Sequence, residues 1–271
     1  MRIYDKQIIK CLCGHNSEMT VIRYYMKNND EDYILSCDFK NSVIIWDIQN
    51  NYNKKFEMRD QYFGHIWDAL LLFNNNKNNY ILLSSDTINH YSKLYEFKDN
   101  TPFIKCIYNT NKNKTVYMIP WSYKNKHYVI DFCYGKLSIN NIFEDENYAI
   151  LSSQPEGYHY CGYIYNKNYL CVSDYDNNFI TIWDLKKKVV HKRIIYDAIS
   201  GSEIIPWNNT LTIVACDGYF VIIDIELGEM IKKIKFDEDL EVRGIKKIKI
   251  NNLSECLIGS SVNNIIKLFN I

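Results

Sequence analysis

The segment Ser36-Cys37-Asp38-Phe39-Lys40-Asn41-Ser42-Val43-Ile44-Ile45-Trp46-Asp47 reads as two β-strands meeting across a tight polar turn. Its Trp-Asp ending returns at Trp183-Asp184 after a similar run-up, Ser173-Asp174-Tyr175-Asp176-Asn177-Asn178-Phe179-Ile180-Thr181-Ile182. A hairpin signature recurring at such a distance makes the chain a repeat array. Anchoring on the Trp place picks out Trp46, Tyr95, Asn140, Trp183, Ile223 and Phe269, between 40 and 49 residues apart. That period is the length of a four-stranded propeller blade.

Each period carries the same parts in the same order. In the first, Thr20 to Tyr25, Tyr33 to Ser36, Val43 to Trp46 and Lys54 to Met58 supply strands a, b, c and d. Short apolar runs rich in Ile, Val, Tyr and Phe continue in this way to the end, and no window sustains a helical period. The sixth unit stops after Ile265 to Phe269 and lacks a d strand, while Gln7-Ile8-Ile9-Lys10-Cys11-Leu12-Cys13 offers a spare one. Pairing them would close a ring and remove two open sheet edges. The expected fold is therefore all-β: a six-bladed β-propeller of four-stranded antiparallel blades over residues 1–271 as one domain. A seventh blade or an open ring is the lesser reading.

Composition narrows the function. Lys+Arg and Asp+Glu balance at 32 each, so no long-range field favours nucleic acid or acidic lipid. No apolar run approaches the ~20 residues that span a bilayer, and Met1 to Asp5 do not resemble a secretion signal. A soluble, cytoplasmic protein is expected, with the nucleus left open. The nine cysteines, an odd number scattered one or two to a repeat, read as small, reduced strand residues. With only ten glycines, Asn and Asp are expected to fill many of the left-handed turn positions.

Gly14-His15, Ser36-x-Asp38, Val43-Ile44-Ile45-Trp46-Asp47, Gly64-His65, Ser85-Asp86 and Trp183-Asp184 together resemble the WD-repeat β-propellers. The resemblance covers the whole chain, is fullest in the first unit, and fades where Asn140-Asn141 and Phe269-Asn270 replace the Trp-Asp pair. It implies a buried hydrogen-bond chain through His15, Ser36, Asp38 and Trp46. It also implies partial sets of His65, Ser85 and Asp86 in the second unit and of Ser173, Asp174 and Trp183 in the fourth. The resemblance further implies that partner peptides dock on a rim built by the d-to-a and b-to-c loops. Aromatic and Arg side chains are the natural anchors there, because they bury much area for little ordering entropy. The candidates are Phe39, Trp67, Tyr158, Tyr160, Tyr175, Tyr219 and Arg243, with Glu18, Asp68 and Glu203 beside them.

No catalytic constellation stands out. There is no nucleophile elbow, phosphate-binding glycine loop or His-Glu-x-x-His helix. Cys11, Cys13 and His15 are spaced to share one strand face and read as packing rather than as a metal site. Lys186-Lys187-Lys188 reads as a solvated c-to-d turn. The Trp-Asp-x-Arg box of some ubiquitin-ligase receptors is missing, since Gln49 and Lys186 stand at its Arg place. The expectation is a non-enzymatic scaffold that binds a protein or peptide, without cofactor, metal, nucleic acid or membrane. The alternatives are a structural subunit of a multisubunit complex and, less favoured, a metal-assisted hydrolase at the channel mouth.

Overall fold

The computed structural model describes residues 11–28, 31–59, 64–73, 79–85, 91–98, 101–109, 115–133, 136–141, 143, 146–151, 159–174, 178–196, 203–236, 242–250, 254–261 and 266–270. Every regular element among them is a strand, and no helix there is long and apolar enough to cross a membrane. The chain divides into two compact units, Met1–Met118 and Ile119–Ile271.

The first sheet contains β1 (Met19–Asn28), β2 (Glu31–Asp38), β3 (Ser42–Asp47) and β4 (Asn53–Arg59). The second contains β5 (Ile66–Phe73), β6 (Asn79–Ser85), β7 (Tyr91–Lys98) and β8 (Thr101–Asn109). The third has β9 (Thr115–Tyr123), β10 (Lys126–Cys133), β11 (Lys136–Asn141) and β12 (Glu146–Leu151). The fourth has β13 (His159–Tyr165), β14 (Tyr169–Asp174), β15 (Phe179–Asp184) and β16 (Val189–Ile195). The fifth has β17 (Glu203–Pro206), β18 (Leu211–Cys216), β19 (Tyr219–Asp224) and β20 (Glu229–Lys235). The sixth has, among the described residues, the three strands β21 (Val242–Ile250), β22 (Ser254–Ser261) and β23 (Ile266–Asn270). All are antiparallel meanders in chain order, the arrangement that short connections favour.

The repeat register is visible as a shared defect. In each four-stranded sheet the pairing of the third and fourth strands slips at one place: Ile45/Trp46, Leu94/Tyr95, Ile139/Asn140, Ile182/Trp183 and Ile222/Ile223. These are the residues picked out from the sequence as one equivalent position, so a β-bulge marks the Trp place whatever residue fills it. The Asp that follows caps the next turn where the pattern keeps it. Asp47 Oδ1 accepts from Asn50 N at 3.1 Å, Asp184 Oδ1 from Lys186 N and Lys187 N at 3.0 Å, and Asp224 Oδ1 from Glu226 N and Leu227 N at 2.9 Å.

The left-handed positions go to Asn41, Asn51, Asn125 and Asn166, as expected of an Asn-rich chain. Lys124, Lys167, Lys188 and Tyr52 fill others, and no Asp does among the described residues. The expected N-terminal strand is corrected in part. Residues 7–10 lie outside the described residues, whereas Cys11 to Cys13 carry no strand, and Cys11 and Cys13 are exposed with Leu12 half-buried between them.

Sheets stack in a constant sense. Within the first unit, Leu35, Cys37, Val43, Ile45, Phe56 and Met58 form one face of the first sheet and pack on Ile81, Leu83 and Tyr95 of the second. Within the second unit, Ile213, Ala215, Phe220 and Ile222 of the fifth sheet pack on Ile245, Leu257 and Phe269 of the sixth. In both, the face opposite the Trp place meets the Trp-place face of the next sheet. Phe269, standing where Trp would, joins Phe220 and Phe236 in an aromatic cluster with centroids 5.0 and 5.8 Å away. Gly259 makes room for it, since a Cβ there would lie 2.5 Å from Phe220 Cζ.

Candidate docking surface

Residues of the first unit build the best-defined turn. Ser36 is opposite Ile44 and Trp46 opposite Ile34, so Ser36 and Trp46 point to the same face of the sheet. Trp46 Nε1 donates to Ser36 Oγ at 2.8 Å, and Ser36 Oγ is 2.7 Å from His15 Nε2. His15 Nδ1 lies 3.2 Å from Asp38 Oδ2 and donates to that carboxylate. Asp38 Oδ1 accepts from Ser42 N at 2.9 Å. Burial would raise the Asp38 pKa, but the Ser42 N–H and His15 outweigh it and hold the carboxyl below its usual range.

This set pins the turn from both ends. Asn41 closes it with φ 63° and donates its N–H to Asp38 O at 3.1 Å. Phe39 N donates to Glu18 O at 3.0 Å, and Lys40 N to Ser17 Oγ at 3.1 Å. Phe39 is half-buried and meets the exposed His65 edge-on at 5.2 Å, while His65 Nδ1 donates to Phe39 O at 3.0 Å. Trp67 follows two residues later, 37% exposed. The cause is a bulge: pairing of β5 with β6 slips between Ile66 and Asp68, so Trp67 is the extra residue.

The same slip recurs at the start of other first strands, between His159 and Gly162 and between Val242 and Gly244. Tyr160 and Arg243, two further anchors chosen from the sequence, fall in these bulges. Their side chains, like Tyr158 and Tyr175 entirely, lie outside the described residues. Glu18 is exposed beside Phe39, and Tyr219 is half-buried under Lys233 Nζ, 4.2 Å from the ring centroid.

No family model matches the chain, and no curated protein matches it. Among solved structures it is similar to the crystal structure of the computationally designed Ika8 protein. The TM-score is 0.68 at 14% identity, covering 95% of this chain and 72% of that one. At such identity the likeness concerns the fold alone.

Two of the expected docking residues have other work. Asp68 is buried and forms a fork with Arg23, Nε to Oδ1 at 3.1 Å and Nη2 to Oδ2 at 2.5 Å. It also accepts Met118 N at 2.7 Å and Ala69 N at 2.8 Å. Burial opposes the Arg23 charge, but Asp68 holds the guanidinium protonated well above its ordinary range. Glu203 likewise accepts Ile245 N at 2.6 Å and Lys246 Nζ at 2.9 Å, and Cys161 Sγ accepts Ile204 N at 3.2 Å. A side chain on the first strand of one sheet thus ties the backbone of the next sheet's first strand. Such a donor lies where no ladder partner is available, and leaving it unpaired would be costly. Asp68 stands at the start of β5 as expected, but its burial makes it inaccessible to a partner, contrary to its expected docking role.

The partial polar sets also resolve differently from expectation. His65 bonds Phe39 O, while the Ser85 side chain and Asp86 lie outside the described residues. Ser173 is opposite Ile180 and Trp183 opposite Leu170, an odd separation that turns them to opposite faces. Ser173 Oγ meets Cys161 Sγ at 3.7 Å instead, and Trp183 Nε1 is buried without a partner among the described residues. The Asp174 side chain is not among those described.

In the third sheet, Asn140 replaces Trp with a polar cluster of its own. Its Nδ2 donates to Asp131 Oδ2 at 2.5 Å and Ser138 Oγ at 3.2 Å. Asp131 and Ser138 were missed because the family pattern has no place for them, though Ser-x-Asn on one strand face was the available signal. Among the described residues no group of His, Cys, Asp or Glu is arranged to hold a metal.

Proposed function

We propose that the six sheets are the blades of a WD-repeat-type propeller and that the protein is a non-catalytic docking scaffold. The protein or peptide partner engages the patch of Phe39, His65 and Trp67, flanked by Glu18 and Lys40. The observation that carries this reading is Trp67: a large aromatic side chain left 37% exposed at a bulge, two residues after His65, which itself bonds the turn that the His15, Ser36, Asp38 and Trp46 set holds. A preformed aromatic patch loses little entropy on binding, which is what an anchor requires. The buried thiols of the second unit are not candidate nucleophiles. Burial pushes Cys161, Cys171 and Cys216 up to about 12, far from nucleophilic reactivity.

The test is a random-peptide display selection on the wild-type protein, counter-selected with the double variant Phe39→Ala/Trp67→Ala. Enrichment of a shared peptide pattern that the variant fails to bind supports the reading. A pattern bound equally by both proteins, or no enrichment at all, overturns it.

A further inference from the structure

The second unit carries a basic patch at the other end of its sheets, where first strands turn into second and third into fourth. Three turns meet there. The β9–β10 turn supplies Lys124, the β13–β14 turn Lys167, and the β15–β16 turn Lys186 to Lys188. Their convergence is visible in contacts rather than in sequence. Lys124 Nζ and Lys186 Nζ lie 5.3 and 5.7 Å from the centroid of the Tyr123 ring. Trp121 stacks on that ring at 5.3 Å and 6°, and its Nε1 donates to Lys167 O at 3.0 Å.

All five lysines are exposed. Asp184, an acidic group of this cluster, is largely consumed by capping Lys186 N and Lys187 N, with Lys187 Nζ 3.8 Å away, and Glu226 of the β19–β20 turn is engaged by the Tyr165 hydroxyl at 2.8 Å. Among the described residues, no carboxylate forms an ion pair with Lys124, Lys167 or Lys186. Two ammonium groups drawn to one ring, with no anion between them, leave local positive potential on a chain whose net charge is zero.

We propose that this patch binds an acidic protein segment, a run of Asp and Glu side chains, independently of the aromatic patch in the first unit. Three observations favour carboxylates over a nucleic acid. The chain as a whole has no excess positive charge to draw a polyanion. The cations are lysines, which act as point charges, and no arginine fork takes part. The Tyr123 ring is occupied by Trp121 and by the lysine ammoniums, so it offers no free platform for base stacking.

The test is calorimetric titration of the full chain with acetylated, amidated hexaglutamate at low and at near-physiological salt. Hexalysine, a single-stranded oligouridylate and phosphatidylserine vesicles serve as parallel probes. Hexaglutamate is expected to bind at low salt and to weaken as salt rises, because exposed charges are screened. Lys124→Gln/Lys186→Gln should raise its Kd about tenfold, while Lys232→Gln on β20 leaves it unchanged. No binding of hexaglutamate at low salt overturns the proposal. So does equal binding by the double variant, or tighter binding of the oligonucleotide or the vesicles.

Discussion

Ser36 and Ser173 each stand ten residues before a Trp, so replacing either by Ala is the same change at the same place in the repeat. The structure makes the outcomes unequal. In the first sheet the Ser36 hydroxyl is shared by Trp46 Nε1 at 2.8 Å and His15 Nε2 at 2.7 Å. Removing it leaves a buried indole N–H and an imidazole nitrogen unpaired, at about 1–3 kcal/mol for each orphaned group. Ser36→Ala should therefore cost about 2–6 kcal/mol, a large share of the ~5–15 kcal/mol that ordinarily holds a folded protein together. In the fourth sheet, Ser173 faces away from Trp183 and among the described residues meets Cys161 Sγ at 3.7 Å, so Ser173→Ala should cost less than about 1 kcal/mol. In urea unfolding with a slope of roughly 3 kcal/mol/M, the first substitution lowers the midpoint by about 1–2 M and the second by a few tenths. Trp46→Phe and Trp183→Phe give an independent comparison. Both lose the same volume, but only the first breaks a bond, because Trp183 Nε1 has no partner among the described residues. Equal midpoint shifts for the two serines, or for the two tryptophans, would refute the account of the faces.

Asp68→Leu should destabilise by about 3–5 kcal/mol by stranding the Arg23 charge, and Arg23→Met/Asp68→Leu should be more stable than that single variant; a double-mutant cycle by urea unfolding checks the sign. Asp38 has a depressed pKa in the folded state, so its contribution is fully present above its unfolded value near 4 and is lost as pH falls through the folded one. Thermal melts between pH 5 and pH 2 should thus fall less steeply in Asp38→Asn, which starts from a lower midpoint. Gly259→Ala places a Cβ 2.5 Å from Phe220 Cζ and should cost about 1–3 kcal/mol, with part recovered in Gly259→Ala/Phe220→Leu.

The strand order and the place of every repeat are local properties, and they are legible in the sequence. Alternation of apolar residues, the spacing of Trp46, Tyr95, Asn140, Trp183 and Ile223, and the capping Asp after the Trp place all act within a few residues of chain. The observed bulges fall at those same anchors. The set of His15, Ser36, Asp38 and Trp46 was equally legible, because one hairpin and the residues leading into it supply it all.

What a side chain faces was another matter. Ser173 differs from Ser36 only by a shift of one residue in hairpin register, which the distance to Trp does not reveal but which turns its hydroxyl to the opposite face. Asp68, Cys161 and Glu203 look like ordinary residues near strand starts, and their bonds go to a backbone 42 to 50 positions later in the chain. The exposure of Trp67 likewise depends on a bulge in its pairing with β6. Spacing along the chain carries periodicity and turn chemistry. The face a side chain presents, and the distant N–H it satisfies, arise only when strands pair and sheets stack, since each depends on atoms that the chain brings together from far apart.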